Sequence, residues 1–107
     1  MYKYEVYIPD RYIENGDIKI INDWDSIIDS IANYLITSFN LTGISIRDEE
    51  GYYKSKSGDI NSMKNKVLYF FSDCICDSAF ESYCKDLKFK LKQESLLINC
   101  NGGIKLC

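Results

Sequence analysis

Two segments of this chain space their apolar residues three and four apart, and no other feature limits its possible folds so strongly. In the first, Trp24, Ile27, Ile28, Ile31, Leu35 and Phe39 form one stripe; in the second, Cys76, Phe80, Tyr83, Cys84, Leu87 and Leu91 do the same. A helix with such a stripe must bury it against another element. The flanking runs have the period of strands and supply that surface. Tyr2, Tyr4, Val6 and Ile8 alternate with Lys3, Glu5 and Tyr7, as in a half-buried strand. Lys66-Val67-Leu68-Tyr69-Phe70-Phe71 is almost continuously apolar, as expected of a central strand.

The remaining segments are punctuated by turn chemistry. Pro9 ends the first strand, and the polar stretch from Asp10 to Asp17, with Gly16, reads as a loop. Asn22 or Asp23 is expected to cap the first helix, Asp25 and Asp29 to face solvent near its amino end, and Asn40 and Gly43 to stop it. Gly43 to Arg47 alternates, Asp48-Glu49-Glu50-Gly51 has turn composition, and Tyr52-Tyr53-Lys54 resumes an extended pattern. That is the pattern of a hairpin with a four-residue loop. Gly58 to Asn65 reads as a polar, mobile connection. Ser72 or Asp73 is expected to cap the second helix, Leu96-Leu97-Ile98 to form the last substantial strand, and Asn101-Gly102-Gly103 to turn Ile104-Lys105-Leu106 back onto it.

The resulting order is strand, helix, hairpin, strand, helix, strand. It predicts a single α+β domain over residues 1–107, ferredoxin-like or a variant of that fold, with an antiparallel or mixed sheet of four to five strands and both helices on one face. No linker, repeat or low-complexity segment divides the 107 residues.

Composition narrows the chemistry. The chain has no histidine, so Ser-His-Asp and Cys-His catalysis are closed to it, together with the common zinc hydrolase sites. Cys74, Cys76, Cys84, Cys100 and Cys107 lack paired zinc-ligand spacing, and their odd number argues against a disulfide framework. No run has the roughly 20 apolar residues of a membrane span, and no apolar leader follows Met1. The expectation is a cytoplasmic protein with thiol cysteines, no membrane, no metal and no cofactor. Cys76 and Cys84 fall on an apolar stripe and read as core, while Cys74 is placed at a helix amino terminus, where its thiolate would be favoured. Phosphate-binding loops are missing.

Two charged surfaces remain. Residues 1–50 hold ten Asp and Glu against four Lys and Arg, whereas residues 51–107 hold six against nine. The acidic set, Asp48, Glu49 and Glu50 at the hairpin tip with Asp23, Asp25 and Asp29 on the helix, would suit a basic surface on a protein partner. Tyr52 and Tyr53 beside it would serve as aromatic anchors. The basic set is Lys85, Lys88 and Lys92 on the second helix with Lys54, Lys56, Lys64 and Lys66 before it. It could follow a phosphate backbone while Tyr52, Tyr53 and Tyr69 stack on bases. The pI near 4.9 and the presence of only two arginines count against that use.

In its tyrosine- and isoleucine-rich composition, its compactness and its acidic charge, the chain resembles the small α+β proteins of phages and mobile elements. That group includes anti-CRISPR and other anti-defence inhibitors. It is also similar to uncharacterised bacterial ferredoxin-like domains in which a Gly-to-Asp hairpin, here Gly43 to Asp48, precedes an aromatic residue, here Tyr52. The first resemblance implies a non-enzymatic inhibitor or adaptor that binds a protein, such as a nucleic-acid-handling host defence nuclease complex, through the acidic surface. The alternative is a small nucleic-acid-binding regulator that uses the lysine face, and an enzyme ranks below both.

Overall fold

Strand β1 (Tyr2–Pro9) is the middle of a five-stranded sheet in the computed structural model, which describes residues 1–54 and 57–107 and, of Tyr53, the backbone alone. Its neighbours are β5 (Ile60–Ser72) on one side and β6 (Leu97–Cys100) on the other. Strand β4 (Ser45–Lys54) lies outside β5, and β7 (Gly103–Leu106) lies outside β6. Every pairing in this sheet is antiparallel. Helix α1 (Trp24–Ser38) connects β1 to β4 by way of a separate hairpin, β2 (Arg11–Glu14) and β3 (Asp17–Ile20), and α2 (Asp77–Lys90) connects β5 to β6. The fold is α+β and compatible with a ferredoxin-like variant, the added parts being the β2–β3 hairpin and β7.

Alternation decides which face the helices cover. Tyr4, Val6 and Ile8 of β1 are fully buried, as are Leu68 of β5 and Ile98 of β6. They meet Ile28, Ile31 and Leu35 of α1 and Phe80, Cys84 and Leu87 of α2 in one cluster. The Tyr4 ring lies 5.4 Å from Phe70 and 5.3 Å from Phe80, and Phe70 meets Phe80 edge-on at 5.7 Å. Both expected helix stripes therefore face the core, with Trp24, Ile27 and Phe39 half-buried at its margin. The buried Tyr4 hydroxyl donates to Asp77 at 2.5 Å and accepts from the Cys76 amide at 2.9 Å, which fixes the start of α2 against the sheet.

Several local expectations are corrected. The Asp10–Asp17 stretch is largely the β2–β3 hairpin, turned by Asn15 and Gly16 with φ of 53° and 81°. Asp48 to Gly51 is not a turn but the middle of β4, paired residue by residue with Lys66 to Met63. The polar residues from Ile60 to Asn65 belong to β5, so the reversal between these strands falls between Lys54 and Ile60. Asp23 is the residue before α1, but in a left-handed conformation and without a side-chain cap. Helix α2 begins at Asp77 rather than after Ser72, whose hydroxyl instead accepts from the Cys74 amide at 3.2 Å. Cys74 thus sits in the preceding loop, not at the helix terminus. The Asn101-Gly102 turn joins β6 to β7 as expected, with φ of 54° and 90°.

Candidate functional site

The sheet face opposite the helices carries the chain's one buried charge among the described residues. Glu5, on the middle strand, is only 6% exposed although it points away from the helices. The register explains this burial, because Ser45, Tyr69, Glu5, Asn99 and Ile104 form one cross-strand row across all five strands. Asn99 Nδ2 donates to Glu5 Oε1 at 2.8 Å. Arg47 Nη1 stands 2.7 Å from Oε2, an ion-pair contact set off the hydrogen-bonding direction. Lys3 Nζ approaches Oε1 at 3.8 Å.

Arg47 is itself held from three sides. Its Nε donates to Glu49 at 2.9 Å, its Nη2 donates to the Tyr7 hydroxyl at 3.1 Å, and its guanidinium carbon lies 5.3 Å from the Tyr69 ring centre. Lys3 stands over the Tyr69 and Phe71 rings at 5.1 and 5.8 Å. The cluster is thus a carboxylate between two cations, bordered by three aromatic rings on an uncovered sheet.

Electrostatics agree with the geometry. Burial works against the charge of Glu5, but the Asn99 hydrogen bond and the Arg47 and Lys3 charges outweigh it and hold the carboxyl below its ordinary range. The Arg47 guanidinium is raised, chiefly by Glu49 and also by Glu5 against the cost of its own burial. Both groups stay charged at neutral pH. Among the thiols, burial pushes Cys84 and Cys100 upward, so these core cysteines are poor nucleophiles.

The acidic residues singled out in the sequence are placed differently from expectation. Alternation along β4 sends Asp48 and Glu50 to the helix side of the sheet and Glu49 to the side of Arg47. Asp48 accepts an ion pair from Lys66 at 2.8 Å, and Lys66 also lies 5.3 Å from the Trp24 ring centre. Asp48, Glu49, Glu50, Lys64, Asn65, Lys66 and Trp24 line a cleft of about 310 Å³ at the sheet edge. Asp25 adds its charge near Lys66, and Asp29 is exposed on α1. Tyr52 is 76% exposed, and Tyr53 pairs with Asn61 along the backbone. The three consecutive acids therefore lie along the sheet edge rather than at a hairpin tip.

The basic set is divided as well. Lys66 is bound to Asp48 and Lys92 to Glu14, while Lys56 lies outside the described residues. Sequence reasoning missed Glu5, Arg47 and Asn99 as a group. Its only available signal was a Glu on the polar face of the most regular strand, which marks exposure and not an ion-pair centre.

No protein-family model and no curated protein matches the chain. Two solved structures share its fold. One is a phage SAM lyase in the apo state, with 14% identity and a TM-score of 0.62 over 97% of this chain and 83% of that one. The other is a phage SAM lyase in complex with S-methyl-5'-thioadenosine, with 18% identity and a TM-score of 0.64 over 99% of this chain and 86% of that one. Both are phage proteins, in agreement with that part of the resemblance drawn from the sequence, whereas the anti-CRISPR part gains no support. The expectation of a non-enzymatic inhibitor or adaptor is corrected at this point: the fold that nearly the whole chain shares is that of an enzyme.

Proposed function

We propose that the chain cleaves S-adenosylmethionine, releasing S-methyl-5'-thioadenosine, and that the uncovered sheet face around Glu5 is its substrate site. The observation that carries this reading is the whole-length structural likeness to phage SAM lyase, at TM-scores of 0.62 and 0.64. The chemistry of the face supports it. The substrate carries a methylated sulfonium, a weakly hydrated cation of the kind that aromatic faces attract. Tyr69 and Phe71 offer such faces beside the buried carboxylate of Glu5.

Cleavage of the bond between sulfur and the amino-acid chain sends the bonding pair to sulfur and leaves a neutral thioether. In lyase chemistry the carbon regains a pair from within its own fragment, from the carboxylate or a neighbouring C–H bond, and no water is consumed. The sulfonium charge vanishes in this step. A carboxylate pressed directly on sulfur would therefore favour bound substrate over the transition state. Aromatic faces hold the cation with a weaker pull, and Glu5, already balanced by Arg47, serves better to fix the rings and the amino-acid end. Calorimetric titration with S-adenosylmethionine and with S-methyl-5'-thioadenosine tests the reading. Saturable binding of both, weakened by Phe71→Leu, is expected, and a protein that takes up neither would refute it.

A further inference from the structure

Lys3 occupies the place on this face that a ligand cation would need. Its ammonium stands over Tyr69 and Phe71 at 5.1 and 5.8 Å and 3.8 Å from the Glu5 carboxylate, so two rings and one anion surround a positive charge. Among the described residues no other group fixes it, and its side chain is 40% exposed. Arg47, the other cation of the cluster, is tied to Glu49, Glu5 and Tyr7 and cannot leave without stranding a buried carboxylate.

We propose that the Lys3 ammonium is a tethered stand-in for the ligand, and that a methylated sulfonium binds by displacing it from the faces of Tyr69 and Phe71, which leaves Glu5 to the amino-acid end. This rests on the reading of the face as the substrate site and adds the competitor that sets its affinity for the sulfonium. The exchange is favoured by hydration. An ammonium is strongly hydrated and regains water when Lys3 swings outward, while a methylated sulfonium has little hydration to lose on the rings. A neutral thioether has no charge with which to evict Lys3 and binds with the ammonium in place, so the exchange weakens the sulfonium alone, and the return of Lys3 to the rings helps to release a thioether product.

The test is calorimetry on the full chain with S-adenosylmethionine and S-adenosylhomocysteine, which differ by one methyl group and its charge. Lys3→Met should tighten S-adenosylmethionine by roughly two- to fivefold, the equivalent of one exposed cation–π contact, and leave S-adenosylhomocysteine unchanged. Phe71→Leu, at a position 51% exposed and so tolerant of change, should loosen S-adenosylmethionine in both backgrounds. If the native protein binds S-adenosylmethionine but Lys3→Met shifts neither ligand, or both alike, the stand-in role is overturned and the substrate site survives. If neither the native protein nor Lys3→Met binds S-adenosylmethionine, the substrate site falls and the stand-in role with it.

Discussion

At the scale of single residues, Glu5 concentrates the energetics of the uncovered face. Its folded-state carboxyl titrates below its ordinary range, so it contributes stability that is fully present above the unfolded value and is lost as pH falls through the folded one. The melting temperature of the native protein should therefore drop as acid passes below about pH 4.3, the ordinary glutamate value. Glu5→Gln should show a shallower drop over the same window, and thermal melts at several pH values check this. At neutral pH the same substitution leaves Arg47 without its buried partner. Breaking a fully buried pair costs roughly 3–5 kcal/mol, and because Arg47 retains Glu49 the expected loss is smaller, about 2 kcal/mol by denaturant titration. Tyr4 is the second test residue. Tyr4→Phe removes the acceptor of the half-buried Cys76 amide and should cost about 1–3 kcal/mol, with faster hydrogen exchange at the start of α2.

At the scale of elements, the apolar stripes make a simple claim about packing. Ile31→Ala and Leu87→Ala empty positions that are 3% and 5% exposed, and each should lower the unfolding free energy by about 2–5 kcal/mol. Ile13→Ser on β2, where the side chain is 59% exposed, should leave the denaturation midpoint almost unchanged. Both helices, β1 and the core half of β5 are legible in the sequence because one face of each is buried by the same cluster, which forces a period on the residues. The β2–β3 hairpin is not legible from periodicity because β3 is exposed throughout, so no burial pattern marks it; Asn15-Gly16 is the usable signal. The acids of β4 misled for a related reason. This strand is an edge, and edge strands carry charge because it discourages pairing with another chain, so Asp48-Glu49-Glu50 has the composition of a turn and the geometry of a strand. The cluster on the opposite face was not legible at all. Glu5 meets Asn99 across 94 residues of chain, and only the antiparallel register brings Arg47 and Tyr69 to the same place.

At the scale of the whole molecule, two helices on one side of a five-stranded sheet leave the other side open, and the cross-strand row through Glu5 places charge and aromatic rings at its middle. No helix among the described residues is long and apolar enough to cross a membrane. The net charge of −3 favours approach of a cationic substrate, and the attraction should weaken as salt rises. The likeness to phage SAM lyase extends over 97% or more of the chain, so the comparison concerns this whole architecture rather than one motif. The central claim is that this face cleaves S-adenosylmethionine, and the most direct measurement is the chromatographic time course of S-methyl-5'-thioadenosine release from S-adenosylmethionine. The native protein should release it well above the rate in buffer, Glu5→Gln should lose most of that excess while remaining folded, and Asp48→Asn, in the cleft on the helix side, should keep it. Release no faster than in buffer, or equal release by the native protein and Glu5→Gln, would contradict the account.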